Sequence, residues 1–119
     1  PPEQVAALAR QAGATSLAGK EYIVDCSKVE SLPPLKVTLG GHEFVLAAKD
    51  YVLQVSSLCL FAFTGIDVPA PRGPLWIMGD IFMRRYYCVF DYGGKRMRIA
   101  PAAKGLPAAS RPRQAELLV

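Results

Sequence analysis

Gly73-Pro74-Leu75-Trp76-Ile77-Met78-Gly79-Asp80 is the stretch that decides the reading of this 119-residue chain. Leu75 to Met78 form a short apolar run of the kind that is buried, bounded by Gly-Pro before it and Gly-Asp after it. A run that short between breakers predicts a buried strand. Asp80 to Arg85 follows as a predicted short helix. Asp80 is placed to accept from the exposed N–H groups of the first turn, where the helix dipole also favours an acid. Tyr86 to Asp91 predicts the next strand, Tyr92-Gly93-Gly94-Lys95 a turn, and Arg96 to Ala100 a return strand. In that return strand Met97 and Ile99 fall on the inner face and Arg96 and Arg98 on the outer, which protects an edge by charge.

The same punctuation continues towards the N-terminus. Pro69, Pro71, Gly73 and Pro74 make a rigid loop, preceded by a predicted buried strand from Leu58 to Phe63. Tyr51 to Val55 reads as a strand, with a short turn around Ala48-Lys49-Asp50 before it. Leu35-Lys36-Val37-Thr38-Leu39 alternates, Gly40-Gly41 suits the positive backbone angles of a tight hairpin turn, and His42 to Leu46 returns. Ser31 to Pro34 is a turn, and Tyr22-Ile23-Val24 a short strand leading into Cys26. Pro2 to Ala12 predicts a helix with Val5, Leu8 and Ala9 or Ala12 on one face, started by Pro2 and stopped by Gly13. Many short strands separated by Gly and Pro imply a mostly-β domain. Residues 1–103 form that domain, and the Ala, Pro, Arg and Gln composition from Lys104 predicts a mobile tail over 104–119.

Composition narrows the class. Half the residues are apolar and a fifth charged, so the chain can bury a core and is not disordered in type. No apolar run approaches a membrane span, and a start at Pro1-Pro2-Glu3 leaves a leader further upstream open. The formal charge is +4, concentrated in eight basic residues from Arg84 onward against Asp91 and Glu116. No nucleic-acid motif accompanies them, so they read as a solvated face and tail, and no nucleic-acid partner is expected. The only histidine, His42, starts a hairpin strand and reads as exposed. With no Cys-x-x-Cys pair beside it, neither a metal nor a cofactor is expected. Cys26 and Cys59 each lie beside a predicted strand and could close a loop, while Cys88 sits among Tyr87, Val89 and Phe90 as a buried free thiol. The residues alone leave the pairing open. There is no asparagine, hence no N-glycosylation acceptor.

Taken together, these segments resemble the C-terminal lobe of the pepsin-like aspartic proteases, the cathepsin D and pepsin type, from about Pro1 to Pro101. Pro1-Pro2 with its helix and Gly13-Ala14 is similar to the segment after the family's second catalytic turn. Glu21-Tyr22-Ile23-Val24-Asp25-Cys26 resembles the strand with the first half-cystine, and Ser57-Leu58-Cys59 the second, so the resemblance implies a Cys26–Cys59 disulfide. Leu32-Pro33 with the Gly40-Gly41 hairpin is similar to the family's intervening element. Gly65-Ile66-Asp67-Val68-Pro69 followed by Gly73 to Asp80 is the most specific part. Tyr86 to Asp91 resembles the family's Tyr-Tyr-Thr-Val-Phe-Asp, with Cys88 in place of threonine.

The resemblance implies a partial lobe of a bilobal, mostly-β acid protease in which two carboxylates share a proton and activate a water. It implies apolar pocket walls from Thr64, Ile66 and Val68, and places Ile77 on the cleft, with Gly79 allowing close backbone approach. It also implies an acidic, oxidising compartment: secretory, lysosomal or vacuolar, or extracellular. Asp25, Asp50, Asp67, Asp80 and Asp91 are the only aspartates, and none precedes Thr-Gly or Ser-Gly. No catalytic residue is therefore expected in the chain. The expected partners are a peptide substrate and the remainder of the protease, in another chain or missing segment. The alternative is a catalytically inactive pepsin-like module that serves as a binding or structural subunit.

Overall fold

The computed structural model describes residues 1–103 and 115–118. The chain divides into two compact units: Pro1–Leu35 with Ala47–Ile77, and Lys36–Leu46 with the chain from Met78 on.

In the first unit, helix α1 (Pro2–Gln11) buries Val5 and Ala9, four residues apart on one face, while Leu8 is half-buried. It ends as the sequence predicts. Gly13 adopts a φ of +66°, its N–H donates to Arg10 O (3.1 Å), and Ala14 N–H reaches back to Ala9 O (2.8 Å). That pair of reversed bonds satisfies carbonyls the helix leaves open. The sheet runs β1 (Thr15–Ser16), β2 (Tyr22–Val24), β6 (Leu58–Phe61), β5 (Val52–Val55), all antiparallel. Val24 pairs with Cys59 in register, so Cys26 lies just past the end of the pairing, and Cys26 and Cys59 are joined in a disulfide with Cα atoms 5.4 Å apart.

Tyr51 organises the interior of this unit. It is 1% exposed, at the end of the one-turn helix α2 (Ala48–Tyr51). Its ring meets Phe61 edge-on at 5.8 Å and Phe63 at 6.1 Å, and Tyr22 closes on Phe61 at 6.4 Å. Its hydroxyl donates to Pro33 O (2.7 Å), and burial raises its pKa above 10.0. Asp50 starts the same turn by accepting from Ala47 N–H (2.8 Å). The turn expected around Ala48 to Asp50 is therefore a helical turn that sets an aromatic anchor.

The second unit contains, from Lys36 on, the hairpin β3 (Leu35–Leu39) and β4 (His42–Leu46), joined through Gly40 (φ +55°) and Gly41 (φ +79°) as the sequence predicts. His42 is exposed. It also contains helix α3 (Asp80–Arg85) and the sheet β7 (Tyr86–Asp91), β8 (Arg96–Pro101), β9 (Ala115–Leu118). Its core stacks Phe82 on Tyr86 at 5.0 Å, with Phe44 edge-on to both, and Ile99 is 1% exposed. The Tyr86 hydroxyl accepts from Val45 N–H (2.7 Å) and donates to Val45 O (2.8 Å), so one side chain satisfies both backbone groups of a β4 residue. Cys88 is a free, half-buried thiol whose pKa is raised by burial.

Two expectations are corrected. Leu75 to Met78 is not a strand: from Ala62 to Gly79 the chain joins no sheet among the described residues. A strand exists only where a neighbour completes its backbone hydrogen bonds, and this run meets no such neighbour. Asp80 is not the helix cap. Gly79 holds that position, with its carbonyl accepting from Met83 N–H (3.0 Å), and Asp80 is the first residue of the helix, where only the dipole favours it. Within the segment expected as a tail, Ala115–Leu118 pair antiparallel with Arg96–Ile99 and form a strand, since β8 offered an open edge. The rest of that expectation, residues 104–114 and 119, lies outside the described residues. Arg84 is exposed as expected, whereas Arg85 is half-buried with its guanidinium 5.3 Å over the Tyr86 ring.

Two outcomes test this packing in the complete protein. Tyr86→Phe keeps the ring and strands both backbone groups of Val45, so it should destabilise by about 1–3 kcal/mol, read as a lower urea midpoint at unchanged slope. Replacing Cys26 and Cys59 by alanine releases a loop of sequence separation 33. On the chain-entropy account, that should cost roughly 3–4 kcal/mol in the same measurement.

Candidate functional site

The candidate site lies on the long connection that follows β6, within the first unit. The sequence supplies it with alternating residues, Thr64, Ile66 and Val68, then a proline-rich turn, then Leu75, Trp76 and Ile77. Its start is fixed by backbone. Ala62 N–H donates to Tyr51 O (2.9 Å) and Phe63 N–H folds back on Phe61 O (2.8 Å), which ends the ladder two residues before Phe63. Phe63 then turns into the aromatic cluster, 4.9 Å from Phe61.

Two glycines govern the path beyond that point. Gly65 is buried, and a Cβ on it would stand 2.9 Å from Pro2 Cα and 3.2 Å from Pro2 Cβ. The first residue of α1 thus lies directly against the loop. Gly73 closes the proline turn: its N–H donates to Pro69 O (2.9 Å), and a Cβ on it would fall on the carbonyl of Val68. Both are positions where backbone approaches too closely for any side chain.

Of the three residues expected to wall a pocket, Thr64 and Ile66 are exposed and Val68 is half-buried, while Ile77, expected on the cleft, is 65% exposed. Thr64, Ile66 and Val68 share one continuous stretch, and Ile77 stands at the far end of the connection. Trp76, read from sequence as part of a buried strand, is 52% exposed, and Leu75 is exposed beside it. Sequence reasoning missed this because a four-residue apolar run shows no periodicity that separates a buried strand from an uncovered one. It also missed both close-packed glycines. The flanking prolines mark the turn around Gly73, but no local signal marks Gly65, whose neighbour Pro2 is remote in sequence.

Asp25 provides the clearest electrostatic feature of the unit. It caps the 3₁₀ turn Cys26–Ser31, accepting from Ser27 N–H (2.9 Å) and Ser27 Oγ (2.7 Å). The Ser27 hydroxyl and then the Ser27 N–H hold its pKa below the ordinary 3.8. Among the described residues no helix is long and apolar enough to cross a membrane.

The model of the eukaryotic aspartyl protease family matches residues 1–102. The chain is 50% identical to aspartic protease 3 of Caenorhabditis elegans over 98 residues, covering 78% of this chain and 25% of that protein. It is 46% identical to cathepsin D of Bos taurus over 108 residues, covering 87% and 28% respectively. It is 47% identical to the probable vacuolar protease A of Arthroderma benhamiae over 92 residues, covering 77% and 23%. The chain thus spans about a quarter of the length of these relatives. Strands with a few short helices and a disulfide are what a partial pepsin-like lobe contains.

The Asp25 carboxyl should titrate below 3.8 when followed by side-chain carboxyl chemical shift. Ser27→Ala, which removes the leading bond, should move it part of the way back. Because the folded value is depressed, this cap stabilises the fold above the ordinary carboxyl pKa, and its contribution is lost as pH falls through the folded value.

Proposed function

The chain belongs to the eukaryotic aspartyl protease family, and from that membership we propose that it is part of an aspartic endopeptidase that hydrolyses peptide bonds at acidic pH. It contributes part of the substrate cleft and neither catalytic aspartate. The observation that carries this reading is the uncovered run Leu75-Trp76-Ile77: three large apolar residues exposed in a row, with no sheet neighbour among the described residues. A contiguous exposed apolar run marks a surface that another part of a protein meets, and the chain matches about a quarter of its relatives. The rest of the protease, with its first lobe and both catalytic turns, is the natural cover.

In that protein the two carboxyls come from the remainder. Held close together, they cannot both ionise at low cost, so one keeps a proton and the other takes one from the attacking water. This chain's residues do the binding. Thr64, Ile66, Val68 and Ile77 offer mainly apolar walls to the side chains of an extended peptide, which favours apolar residues near the scissile bond. The Cys26–Cys59 disulfide supports an oxidising route, secretory, lysosomal or vacuolar, or extracellular. The name of the vacuolar relative points the same way.

One observation favours the alternative of an inactive module: none of the five aspartates stands before Thr-Gly or Ser-Gly. The two readings separate in a single preparation. Intact mass of everything that co-purifies with the chain, with peptide cleavage at acidic pH on the same sample, should reveal the missing aspartates and pepstatin-sensitive cleavage. A preparation with neither would sink the protease reading in favour of the inert module. The chain purified alone should cleave nothing.

A further inference from the structure

We propose that Gly65 and Gly73 are positioning residues for peptide binding, which together set where the wall of Thr64, Ile66 and Val68 stands. The proposal rests on the endopeptidase reading above and concerns residues that touch no substrate themselves.

The argument is steric. The stretch from Thr64 to Val68 belongs to no sheet, so no ladder of hydrogen bonds fixes its path among the described residues. It is held at each end by a contact that only glycine permits. At one end the buried Gly65 lies against Pro2, with a hypothetical Cβ 2.9 Å from Pro2 Cα and 3.2 Å from Pro2 Cβ. Pro2 is the first residue of α1, whose buried Val5 and Ala9 seat it in the core of the unit, so it cannot yield without moving that helix. At the other end a Cβ on Gly73 would coincide with the Val68 carbonyl, which is backbone and has no rotamer to change. The Gly73 N–H bond to Pro69 O (2.9 Å) keeps the turn closed on that contact. Ile66 and Val68 lie between the two clamps, so a methyl group at either glycine must push the wall itself, by on the order of an ångström.

A displacement of that kind predicts a particular kinetic signature. The wall binds substrate and takes no part in proton transfer, so moving it should weaken ground state and transition state alike. KM rises while kcat holds. The effect should also depend on substrate, because a peptide too short to reach the wall does not feel it.

The test uses the complete protein carrying Gly65→Ala, Gly73→Ala or Gly93→Ala. Gly93 lies in the β7–β8 turn, where an added Cβ meets only Asp91 at 3.8 Å. Each variant is assayed at acidic pH on a long peptide and on one truncated at the end that meets the wall. The expected result is a KM for the long peptide raised roughly tenfold in Gly65→Ala and Gly73→Ala, with kcat within about twofold, no change on the short peptide, and no change in Gly93→Ala. If Gly73→Ala fails to fold, Gly65→Ala, whose added contact is milder, decides alone. Folded variants with unchanged KM, or with equal losses on both peptides, overturn the positioning role and leave the endopeptidase reading standing. A wild-type protein that cleaves neither peptide overturns that reading, and the proposal with it.

Discussion

A buried tyrosine hydroxyl must find a hydrogen-bond partner, and each unit of this chain is organised around how one such group does so. Tyr51 donates to the carbonyl of Pro33 and Tyr86 bridges both backbone groups of Val45. In each case the partner is remote in sequence and belongs to a segment with little else to hold it. Pro33 sits in a proline turn that cannot extend a ladder, and Val45 lies on a strand of a two-stranded hairpin. The rings add to the constraint. Tyr51 packs on Phe61 and Phe63, and Tyr86 on Phe44 and Phe82, so the ring geometry that fills the core also aims the hydroxyl. Short strands with few ladder bonds are thereby fixed by side chains.

This dependence explains which parts of the fold were legible in the sequence. Elements whose signal is local were read with nearly the right bounds: the helix stopped by Gly13, the hairpin turned by Gly40-Gly41, the strand Tyr86 to Asp91, the helix Asp80 to Arg85. Elements whose identity depends on a distant neighbour were not. Leu75 to Met78 carries the composition of a strand and lacks a partner, and the Tyr51 turn was legible as a turn but not as the seat of an anchor. The 3₁₀ turn after Asp25 was also missed, although Asp-x-Ser before a charged stretch is a local capping signal. The disulfide was legible only through family resemblance, because three cysteines beside strands leave the pairing open.

The candidate site divides along the same line. Its candidate residues, Thr64, Ile66, Val68 and Ile77, were legible only through the family resemblance. What was not legible was the exposure of Leu75 and Trp76, which read as part of a buried strand. Apolar residues without periodicity are ordinarily core, and only the structure shows Leu75 and Trp76 exposed. The reason is one of completeness: a side chain is buried by its neighbours, and a chain about a quarter the length of its relatives need not contain them. An uncovered apolar run is therefore informative in a way that its sequence is not.

The chemistry that holds each unit together determines how it responds to acid. Among the described residues the core contains no buried charged side chain, so no carboxylate has to be kept ionised in the interior for the fold to survive acid. The disulfide does not titrate. The shifts on Tyr51 and Cys88 are upward, so the stability tied to them is complete below their ordinary pKa values and lost only in alkali. The ion pairs Lys36–Glu43 (3.7 Å) and Arg96–Asp91 (3.8 Å) are solvent-accessible and contribute little at any pH. Asp25 alone among the resolved shifts ties stability to an ionised carboxylate, and its downward shift extends that contribution to lower pH. Neutral hydrogen bonds, aromatic packing and a covalent link carry most of this scaffold, so it loses little when carboxylates protonate.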